Sequence, residues 1–368
     1  MAAGQGLTRR AILSAAAALA TGRAASPKGE RFASERVRFI DSATEFSLYR
    51  LTDSAHSSFL PAYYSRMLSR RGAFLLYSSD RTGTAQAFRM DLKTGESRLL
   101  TAAENLDASS LTLLPDERKF CYFDGPSLRL AELSNLRERE MYRIADGSER
   151  GPGFSVTPDG AYALLIEVSG GVSKLRTVRL PRGALTVPLA SPGTLADPLS
   201  NPQGDAILLH KGPDSLWWVR RDGRDSHALA TEPGNTGPAF WSPDGGSVLY
   251  LNLPAGSGKL NSIRELDPVA NTSRLISTTS QFVSFAPNAD ATVFAGASGS
   301  RAAPYLLLMD RRTRRELALC EHRGSDPRRV TVVFTPDSQQ ILFQSDRHGK
   351  WAIYAMPVSR LVEPTGAG

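Results

Sequence analysis

Histidines and cysteines are scarce in this chain, and the immediate neighbours of each reactive side chain decide what it could do. There are five histidines, His56, His210, His227, His322 and His348, and two cysteines, Cys121 and Cys320. His210 stands out. It ends the apolar run Ala206-Ile207-Leu208-Leu209 and is followed by Lys211 and a Gly-Pro turn. That context places an imidazole, a group that titrates near neutral pH, beside a fixed positive charge at the rim of a sheet. The competing role is a rim histidine hydrogen-bonded to a neighbouring strand. Asp197, just before Pro198, can serve as a base in place of a histidine, or only cap its Asp-Pro turn. Tyr63, Tyr64 and Arg66 offer two aromatic faces and a cation that could stack on and hold a sugar, or pack between sheets. Arg328 and Arg329 precede an apolar strand. A guanidinium can hold a carboxylate through two parallel hydrogen bonds and partly replace a cation, although a solvated surface pair has the same sequence.

Other chemistry is excluded by the motifs. There is no G-x-S-x-G elbow, no H-E-x-x-H and no phosphate-binding loop. Two cysteines far apart in sequence are too few for a metal cage. They fall in repeats that are not neighbours, so a disulfide is not expected.

The elements that would carry these residues are written as a repeat. Seven times, a turn signal of the type x-P-D-G precedes an apolar run of strand formers. Examples are Pro158-Asp159-Gly160 before Tyr162-Ala163-Leu164-Leu165, Pro243-Asp244-Gly245 before Val248-Leu249-Tyr250, and Pro336-Asp337-Ser338 before Ile341-Leu342-Phe343. The copies recur every 41 to 49 residues. A period of that length built from short strands predicts an all-β, seven-bladed β-propeller of four-stranded blades. In the first blade the strands are expected at 61–68, 74–78, 85–92 and 96–101. The seventh copy has no room for a fourth strand after Met356. Residues 46–52 end in Leu-Thr, as the first blade's outer strand does, and are expected to close the last blade and remove the free edge. First strands line the central channel of a propeller, which would bring Tyr63, Tyr64 and Arg66 there.

Residues 26–368 read as one such domain. Residues 1–25 differ: Thr8-Arg9-Arg10 leads into an alanine-rich stretch with small residues after it. This is the pattern of a secretory signal of the twin-arginine kind, too short to span a bilayer, and it predicts a periplasmic or secreted protein. The formal charge of +7 becomes +4 when that segment, with Arg9, Arg10 and Arg23 and no acid, is removed. No dense basic stripe interleaved with aromatics suggests nucleic acid. The run Arg311-Arg312-Thr313-Arg314-Arg315 falls at a turn and reads as a solvated hairpin tip. A mild positive balance suits acidic ligands such as uronate sugars.

The chain from residue 26 onward resembles the oligogalacturonate lyase family, seven-bladed propellers related to the propeller of TolB. The resemblance is carried by Leu208-Leu209-His210-Lys211-Gly212-Pro213 with Leu216-Trp217-Trp218-Val219 and Asp222-Gly223, by Phe240-Trp241-Ser242-Pro243-Asp244-Gly245, and by Gly296-Ala297-Ser298-Gly299 through Pro304-Tyr305-Leu306. Leu319-Cys320-Glu321-His322 and Phe334-Thr335-Pro336-Asp337 to Ile353-Tyr354 extend it. The resemblance implies β-elimination on short oligogalacturonides. That chemistry needs a cation at the C6 carboxylate, a base for the C5 proton and stabilisation of the leaving oxygen. It also implies a divalent metal, Mn²⁺, on three histidines and a glutamine, with a further histidine and an arginine for the proton steps. Where the family carries those ligands, this chain has Pro238 or Ala239, Arg329 to Thr331, and Arg328. The family's His-Pro opening the fourth blade reads Asp197-Pro198. The expectation is therefore a site without a metal cofactor. His210 would be its catalytic residue, and Tyr63, Tyr64, Arg66, Asp197, Lys211, Arg328 and Arg329 would bind substrate. The partner would be an acidic oligosaccharide. The alternative is a non-catalytic, TolB-like propeller that binds an envelope protein or an oligosaccharide.

Overall fold

A computed structural model describes residues 26–366 except positions 181, 257 and 280; the expected signal segment lies outside the described residues. The chain is a closed ring of seven antiparallel sheets. The x-P-D-G signals become the turns between the first and second strands of the blades. In blade 3, Gly160 donates its N–H to the Thr157 carbonyl and takes φ +72°, a conformation glycine adopts without strain. Each turn leads into a strand buried on both faces, as in Phe74–Ser79, where all six residues are buried.

Blade 4 is typical: Leu195–Ser200 innermost, then Ala206–Lys211, Ser215–Arg220 and Ser226–Ala228. The core lies between blades rather than inside any one of them. Leu114, Cys121 and Phe123 of blade 2 pack on Phe154, Ala163 and Leu165 of blade 3. Each such fully buried large side chain contributes roughly 1.5–3 kcal/mol. Cys121 and Cys320 are both buried free thiols, as expected. Burial pushes both thiols far above the usual range.

The ring closes as the sequence predicts. Ser47–Arg50 pairs with Ala352–Pro357, Tyr49 opposite Ala355 and Arg50 opposite Tyr354. The N-terminal segment then adds two strands that the repeat did not announce. Val37–Ile40 makes a fifth strand on blade 7 and Arg31–Phe32 a fifth strand on blade 1. The loop before Ser47 is pinned by a buried ion pair, Asp41 to Arg347 at 3.2 Å, and by Thr44 Oγ1 donating to the Leu319 carbonyl at 2.7 Å.

One expectation needs correction. Residues 61–68 do not form a continuous inner strand in blade 1. Ser58–Phe59 pairs with Ser78 and Ser79, and the chain rejoins the sheet at Met67 and Leu68. Between them, residues 60–65 swing out of the sheet, with a turn closed by Ser65 N–H on the Ala62 carbonyl. The excursion enters the central channel.

Candidate functional site

Three consecutive inner strands carry the same irregularity. Their pairing with the second strand shifts register between Arg150 and Phe154 in blade 3, between Ala196 and Leu199 in blade 4, and between Thr236 and Ala239 in blade 5. Each interruption holds a proline, Pro152, Pro198 or Pro238. Proline has no N–H to give to a ladder and so belongs at a bulge. A bulge leaves backbone groups unpaired and facing the channel.

The side chains from blade 1 take up those groups. Tyr64 accepts from Phe154 N–H at 3.3 Å and donates its hydroxyl to Asp197 Oδ1 at 3.0 Å. Tyr63 accepts from Ala239 N–H at 3.3 Å. The two rings meet edge to face with centroids 4.7 Å apart, and Tyr63 packs on Phe240 at 5.1 Å. Burial, then the charge of Asp197, holds both phenols well above their usual pKa, so both remain neutral donors. These two rings bridge the channel between blade 1 and blades 3 to 5.

Asp197 sits in the left-handed region at φ +49°. It fits because Gly153 of blade 3 passes beneath it. A Cβ on Gly153 would lie 2.5 Å from the Asp197 nitrogen and 2.6 Å from its Cα, and Gly153 itself has φ +93°. Close backbone approach and positive φ together demand glycine there. The strained aspartate presents Oδ2 to His210 Nδ1 at 3.7 Å, with its side chain 32 % exposed.

His210 ends the second strand of blade 4, opposite Ala196. Its Nε2 lies 3.0 Å from the Gly237 carbonyl, another group freed by a bulge. A carbonyl only accepts, so Nε2 carries a proton and points it away from Asp197. Nδ1 is buried and has no hydrogen-bond partner. The arrangement sets an unbonded imidazole nitrogen 3.7 Å from a carboxylate that can stabilise an imidazolium.

The other expected site residues are distributed more widely. Lys211 places its ammonium over the Trp217 ring at 4.1 Å from the centroid. Arg329 lies against two rings, 5.4 Å from Phe59 and 5.0 Å from Trp351. Arg328 and Arg329 belong to the short 3₁₀ turn Pro327–Arg329, capped by Asp326. That turn precedes the inner strand of blade 7, so it lies on the same face as Asp197 and His210. Gln344 clamps it, donating to the Arg329 carbonyl at 2.6 Å and accepting from Leu60 N–H at 2.7 Å. Arg66 lies beyond the tyrosines, towards the x-P-D-G turns, in a hollow shared with Val333 and Pro336.

Gly153, Gln344, Phe59 and Trp351 carry no motif of their own in the sequence. The Gly-Pro-Gly at 151–153, the Asp-Pro at 197–198 and the Gly-Pro at 237–238 were the available signal. A Pro-bearing dipeptide at matching places in three consecutive inner strands marks aligned bulges.

The residues where the resemblance places metal ligands offer little to a divalent ion. Arg329 is a cation, Ala239 has an apolar side chain, and Thr331 offers one hydroxyl. His322, buried in blade 6, has both ring nitrogens engaged: Nδ1 accepts from Gly324 N–H at 3.0 Å and Nε2 faces the Ser298 carbonyl at 2.9 Å. Among the described residues, no three His, Cys, Asp or Glu side chains converge. A groove of about 800 Å³ lies between blades 5 and 6, where Glu265 already pairs with Arg274 and Arg311.

Fold and site together define a closed seven-bladed β-propeller. Its channel is bridged by tyrosines and carries a histidine–aspartate pair on one face. The chain is similar, at 24 % identity over 382 residues, to an oligogalacturonate lyase of Dickeya dadantii, covering 90 % of this chain and 98 % of the relative. It is similar at 24 % over 372 residues to an oligogalacturonide lyase of Pectobacterium atrosepticum. Among solved structures it superposes on an oligogalacturonate lyase in complex with manganese with a TM-score of 0.85 at 23 % identity, covering 90 % of this chain and 98 % of that one. It superposes on an oligogalacturonate lyase of Vibrio parahaemolyticus with a TM-score of 0.83 at 22 % identity. No protein-family model matches. The resemblance to the oligogalacturonate lyase family thus extends over nearly the whole chain. No helix among the described residues is long and apolar enough to cross a membrane.

Proposed function

We propose that this protein acts on short oligogalacturonides by β-elimination at the channel face where His210 meets Asp197, through a route that does not use the family's metal. Whole-length similarity to proteins named oligogalacturonate lyases supports the substrate class. The observation that carries the site is the unpartnered Nδ1 of His210, 3.7 Å from a carboxylate.

In this reading Nδ1 takes the C5 proton of the uronate. The electron pair left on C5 forms the C4–C5 double bond as the C4–O bond breaks; the leaving oxygen takes a proton from water, and the imidazolium returns the C5 proton to solvent. Asp197 stabilises the imidazolium formed in the first step. The Tyr64 hydroxyl keeps Asp197 oriented. A guanidinium of the 327–329 turn, Arg328 or Arg329, neutralises the C6 carboxylate, since electrostatic stabilisation of that group is what makes C5 acidic. The loss of the metal is supported by the donor chemistry of Arg329, Thr331 and Ala239. Export to the periplasm, on the pattern of residues 1–25, is part of the same proposal.

A second reading is favoured by one observation. Lys211 and Arg329 both lie against aromatic rings. Cations satisfied in this way suit a propeller that binds an acidic oligosaccharide, or an envelope protein, without turning it over.

The test is incubation with di- and trigalacturonate while following ultraviolet absorbance of the unsaturated product, with Mn²⁺ and with chelator. Product in chelator, lost in His210→Gln, is the expected result. Product only with metal would overturn the metal-free route. Binding without product would favour the second reading.

A further inference from the structure

We propose that the hollow around Arg66 is an oxyanion-binding site, for a carboxylate or a phosphate, opening on the face of the propeller opposite to His210. The position follows from the strand directions. Asp197 lies near the start of its inner strand and His210 at the end of the next. Phe334 ends the inner strand of blade 7 and Pro336 lies in the turn after it. Arg66 shares a hollow of about 480 Å³ with those last two and with Arg70, and Tyr64 forms its wall towards the channel.

Two orphaned polar groups line that hollow. Arg66 Nη1 and Ser65 Oγ are both buried and neither has a hydrogen-bond partner. Buried polar atoms are nearly always paired, so two unpaired donors side by side are an exception that asks for a missing acceptor. No acid forms an ion pair with Arg66 among the described residues. Glu117 attracts Arg66 only through space, and its Oε1 is bonded by Arg70 N–H at 2.5 Å. Burial, and the like charge of Arg70, press the Arg66 guanidinium below its usual pKa. Arginine nevertheless keeps its proton, so the half-buried guanidinium keeps its charge and its shielded Nη1 is served best by an anionic acceptor. Glu117 offsets part of this charge and Arg70 is exposed, which leaves the buried Arg66 Nη1 and Ser65 Oγ as the groups without a partner. A small oxyanion would accept from the guanidinium and the serine hydroxyl together, and Arg70 would add long-range attraction. The argument uses nothing from the His210 face and stands whether or not the protein is a lyase.

The test is calorimetric titration of the whole protein with inorganic phosphate and, separately, with acetate at low ionic strength. Saturable binding of at least one is expected, weakened tenfold or more in Arg66→Gln and unchanged in Arg312→Gln, an exposed hairpin-tip variant. The tighter of the two identifies the source of the oxyanion. If Arg66→Gln does not fold, Arg66→Lys and Ser65→Ala serve instead, each expected to weaken binding several-fold with an unchanged circular dichroism spectrum. Absence of saturable binding of both anions, or binding that is indifferent to a folded Arg66 or Ser65 variant, or lost in Arg312→Gln, would overturn the proposal.

Discussion

The hydroxyl of Tyr64 crosses the central channel to Asp197, 133 positions away in sequence, and donates to its Oδ1 at 3.0 Å. This bond ties the excursion of blade 1 to the inner strand of blade 4, and the same oxygen accepts from Phe154 of blade 3. Tyr64→Phe removes both interactions and leaves the Phe154 N–H unsatisfied. The expected cost is about 1–3 kcal/mol, read as a lowered denaturation midpoint. Tyr63→Phe loses only the longer bond to Ala239 and should cost less. Equal effects would mean that Asp197 does not depend on Tyr64.

Gly153→Ala is expected to be worse than its one added methyl suggests. The new Cβ would collide with the backbone of Asp197, and φ +93° is strained for alanine. A loss of at least about 1–3 kcal/mol follows from the dihedral alone. The displacement of Asp197 from His210 should also lower any turnover. Thermal melts and the galacturonate assay, run on one preparation, check both.

His210→Gln should lower any β-elimination rate by about 10²–10⁴, the usual worth of a positioned base, while leaving the fold intact. Asp197→Asn should lower it by less. Asparagine tolerates the left-handed conformation and can accept from Tyr64, but carries no charge to stabilise the imidazolium. A ranking in which Asp197→Asn is the more damaging would make the carboxylate itself the base.

The clasp between Asp41 and Arg347 is buried, with side chains 0 % and 5 % exposed. Asp41→Asn strands an uncompensated guanidinium in the core, with an expected cost of roughly 3–5 kcal/mol. Because this loop precedes the closing strand Ser47–Arg50, the loss should appear as earlier unfolding of the ring closure, visible in hydrogen exchange of residues 352–357. Protection there equal to that of wild type would contradict the clasp.

Acid should destabilise the protein through its histidines. Burial lowers the pKa of His322, and burial with Arg347, Arg50 and Arg323 nearby lowers that of His348. Both are therefore neutral in the fold at a pH where the unfolded chain, with a value near 6.5, begins to bind protons. Stability from this source is complete above pH 6.5 and is lost as pH falls below it. Protonating His322 would also set an N–H against the Gly324 N–H that its Nδ1 now accepts. Melting temperatures from pH 7.5 to 5 should fall, and fall less steeply in His322→Asn.

The sequence by itself determined the ring. Seven returns of a turn signal before an apolar run set the number of blades, because such a run must be buried on both faces and only neighbouring blades can cover it. The Leu-Thr ending of residues 46–52 was enough to identify the closing strand. His210 and Asp197 could each be singled out from their neighbours, and Tyr63 and Tyr64 placed in the channel. The tertiary structure alone decided which of these meet. Asp197 reaches His210 because a bulge turns it to φ +49° over Gly153, and bulges on three strands expose the groups that Tyr63, Tyr64 and His210 bond. It also sent Arg66 to the opposite face and turned Lys211 and Arg329 onto aromatic rings. The periodicity of a strand states which residues are buried. It does not state where pairing slips by a residue, and here those slips built the site.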